Sequence, residues 1–148
     1  MNLNSLTVKW VEYGTRAYYQ TLAIRNQVLR KPLNLQFKRD NLLADKEDLH
    51  LGVFNQTECV ACLIITRIDD TKIAKMRQVA VSEYYQGQGI GKIMVIEAEK
   101  RLRTQNYIEI QLHARENAIP FYLNLNYTLV GDWFTEVGIP HKKMIKPL

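Results

Sequence analysis

Apolar and polar positions alternate along residues 5–12, with Leu6, Val8 and Trp10 on one face, which predicts a first strand. Gly14 and Thr15 stop it, and Thr15 can cap a helix. Tyr18, Leu22, Arg25 and Leu29 then recur at helical spacing until Pro32 ends that helix. A short second helix is expected near Asp40 to Asp45. Three strand-like runs follow, Leu49 to Phe54, Cys59 to Ile68 and Lys72 to Val81, with turns at Asn55-Gln56 and Asp69-Asp70. They read as an antiparallel meander. From Ile90 to Thr104 the period is helical again, with Ile90, Met94, Ala98 and Leu102 inward and Glu97, Lys100, Arg101 and Arg103 outward. Tyr107 to His113 alternates as a strand on Ile108, Ile110 and Leu112. A shorter helix, Glu116 to Asn124, and two short strands near Tyr127 to Val130 and Lys142 to Ile145 complete the pattern. The order β-α-α-β-β-β-α-β-α-β-β predicts a mixed α/β (α+β) sheet fold.

A length of 148 residues fits one domain spanning 1–148. The content of 47% hydrophobic and 24% charged residues is that of a globular protein. No apolar run approaches the ~20 residues of a membrane span. Met1 to Ser5 lack a basic region followed by an apolar stretch, so no signal peptide is read and a cytoplasmic location is expected. The net charge of +5 suits an anionic small ligand as well as nucleic acid. The basic residues are scattered without interleaved aromatics, which argues against a nucleic-acid partner. Cys59 and Cys62 have the spacing of a redox or zinc pair, but the chain holds only 2 cysteines. Residues 60–65 read as a buried strand, on which an offset of three places the two thiols on opposite faces. Two core cysteines and no metal site are expected.

The chemistry concentrates in residues 79–92, where a strand (Val79, Ala80, Val81) runs into Gln86-Gly87-Gln88-Gly89-Ile90-Gly91 and the next helix begins. Three alternating glycines let the backbone approach a ligand. The first N–H groups of a helix lack internal partners and carry partial positive charge, so a pyrophosphate fits there. Lys92 can add a phosphate contact. The dinucleotide fingerprint G-x-G-x-x-G and the Walker pattern both fail on spacing.

These residues resemble the GNAT superfamily of acyl-CoA N-acyltransferases, whose signature Q/R-x-x-G-x-G/A follows an aliphatic-Ala-Val strand end. Asn117 with Tyr122 five residues on, and Leu125-Asn126-Tyr127, resemble two further family segments. Asn126 replaces the usual glycine, and asparagine also tolerates positive φ. The ending Glu136 to Met144 is similar to a small, single-domain bacterial subgroup. The resemblance implies a mostly antiparallel sheet whose fourth and fifth strands splay apart around acetyl-CoA (coenzyme A) as cosubstrate. Val79, Ala80 and Val81 would pair with the pantetheine arm, and one N–H there would face the thioester oxygen. Gln86, Gly87, Gln88, Gly89, Ile90, Gly91 and Lys92 would hold the pyrophosphate, and Asn117 and Phe121 would line the arm. Tyr122 would be the general acid that protonates the leaving thiolate.

An alkylammonium must lose a proton before attack, so a base is expected. Some relatives place a carboxylate on the fourth strand, but this chain has no Asp or Glu between Lys72 and Ser82. Glu83, His50, His113 and His141 are the other candidates, and His113 lies on the strand lining the splay. Arg25, Arg30 and Phe37 are candidates to shape an acceptor pocket. The expected activity is acetyl transfer to a primary amine, most simply a small molecule. The alternative is a non-catalytic CoA-binding or sensory module of the same fold. General frequency alone leaves a homodimer open.

Overall fold

The computed structural model describes residues 5–35 and 39–148. Its strands are β1 (Leu6–Val11), β2 (Leu49–Asn55), β3 (Glu58–Arg67), β4 (Ile73–Val81), β5 (Glu109–Arg115), β6 (Thr128–Glu136) and β7 (Ile139–Pro147). Its α-helices are α1 (Arg16–Arg25), α2 (Arg39–Ala44), α3 (Ile90–Thr104) and α4 (Ile119–Leu123). The strands form one sheet in the order β1-β2-β3-β4-β5-β7-β6. Every neighbouring pair is antiparallel except β4–β5. The mixed, mostly antiparallel sheet and the element order agree with the sequence pattern.

Helix α1 starts where the sequence places it, with the Tyr18 N–H donating to Thr15 Oγ1 at 3.3 Å. Its α geometry ends earlier than Pro32. Residues Asn26–Arg30 widen into a π turn, and the proline sits in the 3-10 turn Lys31–Leu33. Helix α3 covers one sheet face with Ile90, Met94, Ala98 and Leu102, all fully buried. Helix α1 covers the other face, where Tyr18 and Ile24 meet Phe54 and Ala80.

The cysteines are free and buried, but not on opposite faces. A register shift between Val53 and Phe54 inserts Val60 into β3 as a bulge, and both thiols join the cluster beneath α1. The expected Tyr107 start of β5 moves to Glu109, and Ile108 is exposed. The two tail strands are much longer than expected. β6 is an edge strand with nearly all side chains in solvent and a register shift between Val130 and Phe134, so it carries no alternation to read.

The site is set by what β4 fails to do. It pairs with β5 only through Ile73–Glu109, Ala74–Ile110 and Lys75–Gln111. Beyond Lys75 the two strands separate. On the side facing β3, the register jumps from Ile64–Arg77 to Cys62–Ala80, so two β4 residues, Gln78 and Val79, oppose the single Leu63. Gln78 takes the left-handed conformation, φ 55°, at this bulge.

Candidate functional site

The opening between β4 and β5 holds two cavities. One, of about 830 Å³, lies over residues 79–81, the glycine loop and α4. The other, of about 580 Å³, lies between β4, β5, the π turn and the end of the β6–β7 hairpin. Val79, Ala118 and Tyr122 line both, so the cavities meet at those three residues.

In the larger cavity, Val79–Val81, Gln86, Gly87, Gly89–Lys92, Asn117 and Phe121 all line the wall. Gln88 does not, and its amide donates instead to the Tyr84 carbonyl at 3.4 Å. The Gln86 side chain donates to the Val81 carbonyl at 2.9 Å, tying the loop to the end of β4. The Ile90 side chain is in the core, so only its backbone faces the cavity. Gly89 caps α3 with φ 84° and nothing within 4 Å of where a Cβ would sit. At Gly91 a Cβ would lie 3.2 Å from the Phe121 ring, so glycine there lets α4 approach the helix start. The result is a cradle of unbonded helix N–H groups at the start of a 15-residue helix, with Lys92 beside it. These features fit an anionic, extended ligand such as the pyrophosphate and arm of acetyl-CoA.

Tyr122 is 7% exposed and packs edge-on against Phe121 and Tyr127. Its hydroxyl makes no hydrogen bond among the described residues. Burial pushes its pKa up, so the phenol stays protonated across the neutral range. Asn126 has φ 70°, the conformation its sequence position called for.

The four candidate bases separate clearly. Glu83 is exposed and lines neither cavity. His50 is buried away from both, with Nε2 2.8 Å from the Asp45 carbonyl. His113 and His141 line the smaller cavity. The His113 Nδ1 is 3.0 Å from Glu136 Oε1, and the His141 Nε2 is 3.5 Å from Glu136 Oε2. Because a carboxylate only accepts, Nδ1 of neutral His113 carries the proton and Nε2 keeps its lone pair. Phe134 contacts both imidazoles, edge-on to His113 at 4.8 Å and stacked on His141 at 5.9 Å between ring centres.

Arg30 lines the smaller cavity, whereas Arg25 is 1% exposed and does not. Arg25 Nη1 donates to Asp45 Oδ2 at 2.7 Å. Asp45 also accepts from the Tyr18 hydroxyl at 2.8 Å and from Arg77 Nη2 at 3.2 Å. Burial alone would raise the Asp45 pKa, but the bonds from Arg25 and Tyr18 and the charge of Arg77 outweigh it and hold the carboxyl below its usual range. Phe37 lies outside the described residues. Sequence reasoning missed Asp45, Asp48, Arg77 and Glu136, whose local patterns look like ordinary solvated charges.

The model of the acetyltransferase (GNAT) family matches residues 12–127. The uncharacterized protein YyaT of Bacillus subtilis is 32% identical over 75 residues, 51% of each chain, so the matched stretch spans about half of that relative. Among solved structures, Escherichia coli ElaA superposes with a TM-score of 0.83 at 19% identity, over 95% of this chain and 99% of that one. A GNAT family acetyltransferase from Elizabethkingia anophelis, with acetyl-CoA bound, superposes with a TM-score of 0.75 at 13% identity, over 98% of this chain and 99% of that one.

Proposed function

Because the chain belongs to the acetyltransferase (GNAT) family, we propose that it transfers an acetyl group from acetyl-CoA to a primary amine, in one step within a ternary complex. The observation that supports this most is the position of Tyr122, at the junction of the two cavities of the β4–β5 opening. When bound, acetyl-CoA supplies an acetyl group activated as a thioester. The glycine loop and the start of α3 hold the pyrophosphate, and residues 79–81 offer backbone groups to the pantetheine arm. One N–H of that stretch stabilises the oxygen on which charge develops. Tyr122 enters as a proton donor to the departing sulfur. A dry site raises the proton affinity of a thiolate as well as that of the phenol, which keeps this transfer feasible.

His113 supplies what the carboxylate-free fourth strand lacks. Its Nδ1 is held by Glu136, and its Nε2 lone pair is the acceptor for the ammonium proton, directly or through water. With His113 in that role, the absence of a fourth-strand carboxylate no longer argues for a non-catalytic module. The first test is calorimetry of acetyl-CoA binding, with Gly89→Glu as the control. Micromolar-range binding to the wild type, abolished in the variant, is expected. No binding by folded wild-type protein would end the proposal.

A further inference from the structure

Resting on that reading, we infer that the acceptor is an amine that also carries an anionic group, a carboxylate or a phosphate, and is not a polyamine. The smaller cavity has two unlike walls. On the β5 and hairpin wall, Glu136 is its lining carboxylate, already shared between His113 and His141. On the β4 and π-turn wall stand Lys75, Arg77 and Arg30, and Arg115 closes the far end of β5.

Arg77 is held like a fixed instrument. Its Nε donates to Thr66 Oγ1 at 2.9 Å, and its Nη2 donates to Asp48 at 2.6 Å and Asp45 at 3.2 Å. Its Nη1 has no hydrogen-bond partner among the described residues, and the side chain is 27% exposed on the cavity. A guanidinium locked by three bonds with its remaining nitrogen open is preorganised for an oxyanion. Lys75 and Arg115 have no carboxylate within ion-pair distance among the described residues. Asp45 and Asp48 are committed to Arg25 and Arg77 beneath the floor and offer nothing to a visiting cation.

Arg30 lines the same wall, where burial and the positive charges of Arg25 and Arg77 lower its pKa and the charge of Asp45 partly offsets them. An anion entering beside Lys75, Arg77 and Arg115 meets favourable charges, and a polycation meets opposing ones. The ammonium end has its own place, toward Glu136 and His113. The arrangement reads a dipolar molecule, positive at one wall and negative at the other.

The test uses the full chain with acetyl-CoA and matched acceptors, following thiol release. The set pairs amino acids with their decarboxylated amines and carboxamides, and adds phosphoethanolamine, putrescine and spermidine. Members bearing an anion are expected to exceed their neutral partners in kcat/KM by about tenfold or more. The amino acid and phosphate arms tell which anion is preferred. In Lys75→Glu and Arg115→Glu, that preference should shrink or invert while acetyl-CoA affinity by calorimetry holds. Neutral amines or polyamines acetylated as well as their anionic partners would overturn the inference and leave the acetyltransferase reading standing. Acetyl-CoA binding with no turnover, and no thermal stabilisation by N-acetyl amino acids, would also overturn it. Loss of acetyl-CoA binding itself would sink the parent reading instead.

Discussion

Replacing Asp45 by Asn keeps the shape of the side chain and removes the charge of a fully buried carboxylate. Asp45 is 0% exposed and Arg25 is 1% exposed, so the variant takes from a buried guanidinium the carboxylate it bonds at 2.7 Å. Arg77 loses less, because Asp48 still holds its Nη2 at 2.6 Å. Breaking a buried ion pair from one side costs about 3–5 kcal/mol. For a chain of this size each kcal/mol moves Tm by roughly 2–4 °C, so a drop of about 6–20 °C is expected. Thermal unfolding followed by circular dichroism at pH 7 measures it. The double variant Asp45→Asn with Arg25→Met should lose less than the sum of the single losses, since both members of the buried pair are then gone. The same group predicts a pH dependence. Its folded pKa lies below its unfolded one, so its stabilisation is complete above pH ~4 and is lost as pH falls through the folded value. The acid-side decline of Tm should therefore be shallower in Asp45→Asn. A Tm change under about 2 °C, or strict additivity in the double variant, would refute the reasoning.

Tyr122→Phe should lower kcat by about 10²-fold or less with acetyl-CoA affinity intact, and unchanged turnover would remove the hydroxyl from the mechanism. His113→Asn should lower kcat by about 10²-fold or more, and Glu136→Gln by a smaller factor, since in the proton transfer the carboxylate only holds the imidazole. Equal rates in wild type and His113→Asn would exclude this base. Burial pushes the Cys59 thiol up to about 11 and raises the Cys62 thiol as well. Both should resist a disulfide reagent at pH 8 in the native protein and react fully in denaturant, so rapid native labelling would contradict their placement.

The long α3 was legible because its burial follows a single period: Ile90, Met94, Ala98 and Leu102 are inward in pattern and in structure. The meander was legible as apolar runs bounded by turns. The glycine loop was legible because backbone geometry restricts which residues fit. What escaped were features that depend on partners distant in sequence. Asp45 meets Tyr18, Arg25 and Arg77 across two helices and a strand, and nothing beside it in the chain says so. Glu136 reaches His113 only because a hairpin brings β6 over β7, and β6 is too exposed to declare itself as a strand. The cysteines were misplaced because one inserted residue reverses the inward and outward sense of everything after it.

The short β4–β5 ladder has a consequence for the solubility of the chain. Past Lys75, the β5 side of β4 is an edge strand inside the molecule, with N–H and C=O groups left without sheet partners. Edges of this kind normally invite another chain to add a strand. Here that edge is enclosed, with α4 and the glycine loop lining the cavity at one part of it and the hairpin lining the cavity at the other. The fold thus keeps an adhesive surface in its centre, away from the outer edges where another chain would dock.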